Sequence, residues 1–223
     1  MSQISNTNTK SLNQIQSLVY KILKNEGFKK FGRTFTKNVD EGIIHVINFQ
    51  IGQRNLEGHF TVNLGVYIKE LDETKSNSKK IFYDYDCHIR VGLCELSNDL
   101  SDWIKLDKNA DVISELIIQF LMSDGISWFN LFNSKKSIII NLQRNKIGYF
   151  KNSNRAKLDA AILLLNYDKP NAIKLFNKYY NSIDKNNVAH KIYVSSLAHK
   201  FDLNFDDTSL NESIDLINKL LNK

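Results

Sequence analysis

An α+β fold, with an antiparallel sheet packed with helices in the N-terminal part and an all-helical segment after it, is predicted by three features of this 223-residue chain. The first is alternation. Phe60, Val62, Leu64, Val66 and Ile68 are apolar and are separated by His59, Thr61, Asn63, Gly65 and Tyr67, the period of a strand buried on one face. The second is the helical spacing of Leu12, Ile15, Leu18, Val19, Ile22 and Leu23, closed by Gly27 as a left-handed stop. The third is that the patterned stretches after Asn154 are helical. The division expected is residues 1–150 for the α+β part and 151–223 for a helical extension of helix-hairpin pairs.

After a polar lead and the first helix, residues 32–37 read as a short strand. Asp40-Glu41-Gly42 is a turn, and residues 43–51 form a second strand rich in β-branched side chains. Matching apolar faces sets Ile51 opposite Phe60, Phe49 opposite Val62, Ile47 opposite Leu64 and Ile43 opposite Ile68. The other face then aligns Gln50 with Thr61 and Asn48 with Asn63. Residues 71–80, charged and without period, read as a loop, and residues 87–96 as a fourth strand. Asp107 or Asn109 can cap a helix whose Val112, Ile113, Leu116, Ile117, Phe120 and Leu121 form one stripe, ending near Gly125. Residues 127–150 suit a helix, although Ile138-Ile139-Ile140 also suits a buried strand. Helices follow at 155–165, after Pro170 in a first turn, at 188–200, and at 210–221 behind a Ser209–Glu212 capping box.

The run Gly27-Phe28-Lys29-Lys30-Phe31-Gly32-Arg33-Thr34-Phe35, then Asn48-Phe49-Gln50 and Phe60-Thr61-Val62-Asn63-Leu64-Gly65-Val66-Tyr67, resembles a bacterial family called domain of unknown function 4304. His88-Ile89-Arg90-Val91-Gly92-Leu93 and Asp102-Trp103 stand where that family has an arginine-bearing strand and a tryptophan motif. The second tryptophan of its usual pair is Ile104 here. The resemblance covers residues 12–142 and implies no reaction, ligand or catalytic residue. Residues 160–176 resemble one tetratricopeptide-like helix pair, short of the three units a solenoid needs.

With 42% hydrophobic and 24% charged residues the chain can bury a core without staples. Its apolar runs fall short of the ~20 residues of a membrane span and its start has no apolar leader, so a cytoplasmic protein with no membrane association is expected. Cys87 and Cys94 are expected as free thiols. Neither CxxC nor HExxH occurs, the five histidines are scattered, and nine glycines form no phosphate-binding loop, so neither metal nor cofactor is expected. His45 falls on an apolar stripe and reads as a partly buried histidine with one hydrogen bond. Cys87-His88 cannot share a proton if both lie on one strand, because neighbours point to opposite faces.

Two features remain for function. Strand parity gathers Asn48, Gln50, Asn63, Tyr67, His88 and Arg90 on one sheet face, bounded by Trp103; asparagine is depleted in strands, and amides beside a guanidinium can orient a ligand or a peptide carboxylate. In addition, the net charge of +6 collects locally. Residues 21–37 hold six basic residues, Lys29, Lys30 and Arg33 among them, beside Phe28, Phe31 and Phe35. Seven more, including Lys135, Lys136, Arg144 and Lys146, fall in the acid-free stretch 125–158. The function expected is a non-catalytic binding protein, of the intracellular immunity or accessory kind, meeting a protein partner through the sheet face or the helical tail. Nucleic-acid binding by the basic stretches is the first alternative, and an enzyme with an unrecognised site on the polar face is the second.

Overall fold

In the computed structural model, residues 2–72, 81–97, 99–106, 109–144 and 153–201 are described. Contacts divide the chain into two compact units, Met1–Ile138 and Ile139–Lys223.

In the first unit, helix α1 (Ser2–Asn25) begins well before the apolar stripe that announced it. Its inward side is Leu12, Ile15, Val19 and Leu23, whereas Ile22 is exposed, so the buried stripe is narrower than the apolar one. Gly27 ends the helix at φ +88°, a conformation that costs glycine nothing. The chain then turns into β1 (Lys29–Phe31), β2 (Thr34–Asp40), β3 (Ile43–Ile51) and β4 (His59–Ile68). β1 was not anticipated. It pairs with β2 across Gly32-Arg33, with Phe31 opposite Thr34 and Gly32 at φ +60°.

β3 and β4 pair antiparallel in the register expected, with Ile43 opposite Ile68, Ile47 opposite Leu64, Asn48 opposite Asn63, Phe49 opposite Val62, Gln50 opposite Thr61 and Ile51 opposite Phe60. A slip of one residue would turn the apolar side chains of β3 and β4 to the other face, which is why periodicity settles the pairing. The expected strand over 87–96 is corrected: only β5 (Ile89–Gly92) is extended, and Leu93–Leu96 closes into a turn of helix, α2, with the Gly92 N–H donating to Glu95 Oε1 at 2.9 Å. Glu95 supplies the reach-back carboxylate of a capping box, a local bond that competes with the ladder. β6 (Ile104–Lys105) joins β4 beside β5, and the sheet runs β1-β2-β3-β4-β5.

One face of this sheet is core. Phe35, Ile43, Ile47, Phe49, Phe60, Val62, Leu64 and Val66 are buried there, each contributing about 1.5–3 kcal/mol by leaving water. Tyr20 of α1 lies 5.9 Å from Phe35. Asn109 caps α3 (Ala110–Phe120), its Oδ1 accepting from the Asp111 N–H at 2.9 Å. The helix does not stop at Gly125. It passes through a π-helical turn (Leu121–Gly125) into α4 (Ile126–Asn130). A side chain at Gly125 would stand 3.5 Å from Leu64, so this turn packs at contact distance from the sheet.

Two residues of the expected stripe, Val112 and Leu116, are exposed, and burial follows Ile113, Ile117, Phe120 and Leu121 instead. By length and composition the continuous helix Ala110–Asn130 is apolar enough to cross a membrane, although Asp111, Glu115 and Asp124 interrupt the apolar run. Its buried side serves the core: α3 packs on α1, and Phe129 of α4 lies against Phe28 and His45.

Helix α5 (Lys135–Arg144) includes Ile138-Ile139-Ile140, which decides the ambiguous stretch in favour of helix over the described residues. In the second unit α6 (Ser153–Leu164) and α7 (Lys169–Asn181) pack together, with Ala160, Ala161 and Leu163 buried on one and Ala172, Phe176, Tyr179 and Tyr180 on the other. Asp168 caps α7, whose first turn contains Pro170, and Asn187 caps α8 (Val188–Lys200). The helix expected over 210–221 lies outside the described residues.

Candidate binding face on the outer side of the sheet

The pairing registers order the sheet's other face into rows across the strands. One row is Phe31, Thr34, Asn48, Asn63 and Gly92; the next is Lys29, Thr36, Val46, Gly65 and Arg90. Gln50 and Thr61 stand to one side of these, and Ile44 and Tyr67 to the other. Asn48, Gln50, Asn63, Tyr67 and Arg90 therefore share a face, as parity required, and His88, whose N–H donates to Val66 O at 3.0 Å, leads into β5. The residues that sequence reasoning did not place on this face are Phe31 and Lys29, because β1 was not recognised, and Thr34 of β2. Their signal was Gly32, which splits two extended runs as a hairpin glycine does.

Tertiary structure divides this face in two. Over the Val46–Tyr67 half lies a strap, residues 81–88, that makes a 3-10 turn at Asp84–Asp86, burying Asp84 and Cys87 and exposing Tyr83 and Tyr85. Phe82 packs on Tyr67 with ring centroids 4.3 Å apart. Cys87 fills the space above Gly65, where even a Cβ would meet its Sγ at 2.5 Å. Val46, Tyr67 and Cys87 are buried together, with Ile44 and Phe82 partly buried against them. Asp84, buried, pairs with Arg90 at 2.9 Å. His88 Nδ1 accepts the Ile68 N–H at 3.1 Å, and the Tyr67 hydroxyl donates to Asp72 at 2.7 Å. Burial and Asp72 push the Tyr67 phenol well above its ordinary pKa, which keeps it a donor. Tyr67, His88 and Arg90 are thus engaged in holding the strap and its flanks.

In the other half Gln50 is exposed and Asn48 and Asn63 are half-buried, while Thr34 and Thr61 are buried. Asn48 Nδ2 donates to Thr34 Oγ1 at 2.8 Å and Asn63 Nδ2 donates to Gln50 Oε1 at 2.9 Å, two cross-strand bonds that orient the amides. An amide has two donor hydrogens and two acceptor lone pairs, so each keeps hydrogen-bonding capacity after one such bond. Phe31 borders the row with 38% of its surface exposed. Trp103, half-buried, immediately precedes Ile104, the partner of Phe60, at the opposite border.

Of the basic residues, Lys29 stands at the end of one row of this face, and the others lie elsewhere or are partly engaged. Lys30 is half-buried with Nζ 5.8 Å from the Phe35 ring, and its pKa is lowered by burial; Lys37 stands 5.8 Å from the Phe28 ring. Lys29 and Arg33 are exposed at the β1 edge. Lys135 pairs with Glu70, Lys136 and Arg144 are exposed on α5, and Lys146 lies outside the described residues. Both cysteines are free thiols. Among the described residues no group of three or more His, Cys, Asp and Glu side chains is placed to hold a metal ion.

No curated protein and no solved structure matches the chain. The profile of the family described as "Domain of unknown function (DUF4304)" matches residues 19–131, a span that contains the whole sheet, its strap and α3, and the chain belongs to that family.

Proposed function

We propose that the protein is a non-catalytic binding protein of the cytoplasm, an accessory factor whose contact surface for a protein partner is the half of the sheet's outer face beyond the strap. One observation carries this reading: beyond the strap the face presents exposed Gln50 and half-buried Asn48 and Asn63, uncharged amides oriented by cross-strand hydrogen bonds, with exposed Phe31 at one border and half-buried Trp103 near the other. Aromatic side chains with neutral hydrogen-bonding groups are the composition of a protein contact surface, where buried charge is avoided. The test is comparative. The chain and an Asn63→Lys variant are immobilised, exposed to cytoplasmic extract, and the retained proteins are identified by mass spectrometry. A partner retained by the first and lost by the second supports the reading; equal retention by both overturns it.

A further inference from the structure

The amide surface makes no use of the basic stretch that precedes it. Residues 10–39 hold seven basic residues and one acid, Glu26, a local excess equal to the +6 of the whole chain. Lys21, Lys24, Lys29 and Arg33 are exposed, and among the described residues none of them is in an ion pair. Lys30 and Lys37, by contrast, lie over the Phe35 and Phe28 rings.

The hairpin of β1 and β2 sets two of these unpaired cations around an aromatic ring. Lys29 and Phe31 are two apart in β1 and so share a face, roughly 7 Å from each other along the strand. Arg33 follows in the turn Gly32-Arg33, which is held at both ends: Phe31 is opposite Thr34, and the Arg33 carbonyl accepts the Phe49 N–H at 2.9 Å. Phe31 itself is 38% exposed. Lysine at the end of a sheet has an ordinary role, since it keeps other strands from adding to the edge, and β1 is an edge strand. An exposed phenylalanine between two cations works against that role, because it puts apolar surface on the edge to be protected. The combination suits a polyanion that also presents flat apolar faces.

We infer that the β1–β2 hairpin is a binding site for single-stranded nucleic acid, with Phe31 stacking on an unpaired base and Lys29 and Arg33 taking phosphates on either side of it. Every unpaired base has a face to stack, whereas a duplex hides those faces between its base pairs. Cations on phosphates read no sequence, so the binding is expected to be indifferent to it. Helix α1, which contains no acid, adds attraction at longer range through Lys21 and Lys24. The site does not rest on the protein-contact reading of the amides, and it is read with purified components.

Fluorescence anisotropy of the full chain with a labelled single strand of about 20 nucleotides, longer than the roughly 4–16 that one small domain covers, tests this. RNA and DNA strands and a DNA duplex are compared. The wild type is expected to bind both single strands in about 50 mM salt and to weaken steeply toward about 200 mM. Phe31→Ala should lose about tenfold in affinity and Phe31→Trp should keep it, both with an unchanged thermal melt. Lys29→Ala combined with Arg33→Ala should reduce the log–log salt slope by about 1.4, the share of two phosphate contacts. A wild type that binds neither strand at the lower salt overturns the site. Binding that all the variants keep overturns it too, because the strand then lies elsewhere. Binding that falls when the cations are removed but not in Phe31→Ala, or that takes the duplex as tightly, overturns the single-strand reading and reduces the hairpin to a charged patch.

Discussion

His45 lies flat on Phe129, with ring centroids 4.4 Å apart and planes 16° from parallel, and donates from Nε2 to the Phe132 carbonyl at 3.2 Å. A carbonyl only accepts, so the proton is on Nε2. The imidazole is buried on the core face between β3 and α4, which explains why it is neutral.

Burial pulls the His45 pKa from 6.5 to about 4, against the smaller opposing pull of the Phe132 hydrogen bond. The folded state thus binds its proton less readily than the unfolded state does. Its contribution is intact above pH 6.5 and is lost as pH falls toward about 4, amounting to about 3 kcal/mol when the whole window is crossed. Urea denaturation of the wild type and of His45→Phe at several pH values checks this: the wild type should lose stability across that window more steeply than the variant.

Leu64 lies on the core face opposite Ile47 and is fully buried. Leu64→Ala is expected to cost about 2–5 kcal/mol, the range for removing a buried leucine side chain with incomplete collapse around the cavity. Chemical denaturation measures it. A cost below 1 kcal/mol would mean that the stripe is not core.

Arg90 is half exposed while its partner Asp84 is buried, so the carboxylate depends on the guanidinium more than the reverse. Arg90→Ala should destabilise the protein by about 1–3 kcal/mol by leaving Asp84 unpaired, and adding Asp84→Asn should recover part of that loss. The sequence had placed Arg90 among the residues that could orient a ligand. Its place in the strap anchor makes stability the first quantity to measure, with a thermal melt of the single and double variants.

Gly65→Ala introduces a Cβ that would stand 2.7 Å from Cys87 Cβ, so the strap must lift. Thiol labelling under native conditions reads this directly: Cys87 should react faster in the variant than in the wild type, and overpacking should cost about 1–3 kcal/mol. Cys94 provides the internal control. Burial and its hydrogen bond to Asp102 push its thiol up to about 11, so at pH 8 it should label more slowly than an unstructured thiol in both proteins.

The sequence by itself determined the α+β class, the first helix and its glycine stop, the β3–β4 register, a cap at Asp107 or Asn109, of which the structure uses Asn109, and the helices around Pro170 and Val188. All of these rest on local period or on a side chain bonding its own backbone, and both are written in consecutive residues. It also placed Asn48, Gln50, Asn63, Tyr67 and Arg90 on one face, since parity is a local property. What only the tertiary structure decided is which part of that face meets water. The strap reaches over β4 from a segment without period, held by a hollow at Gly65 and by the Asp84–Arg90 pair, and a glycine's empty space acquires meaning only when another segment fills it. In the same way Val112 and Leu116 carry the helical spacing of a core stripe and yet are exposed, because spacing defines an apolar side and packing selects how much of it is covered.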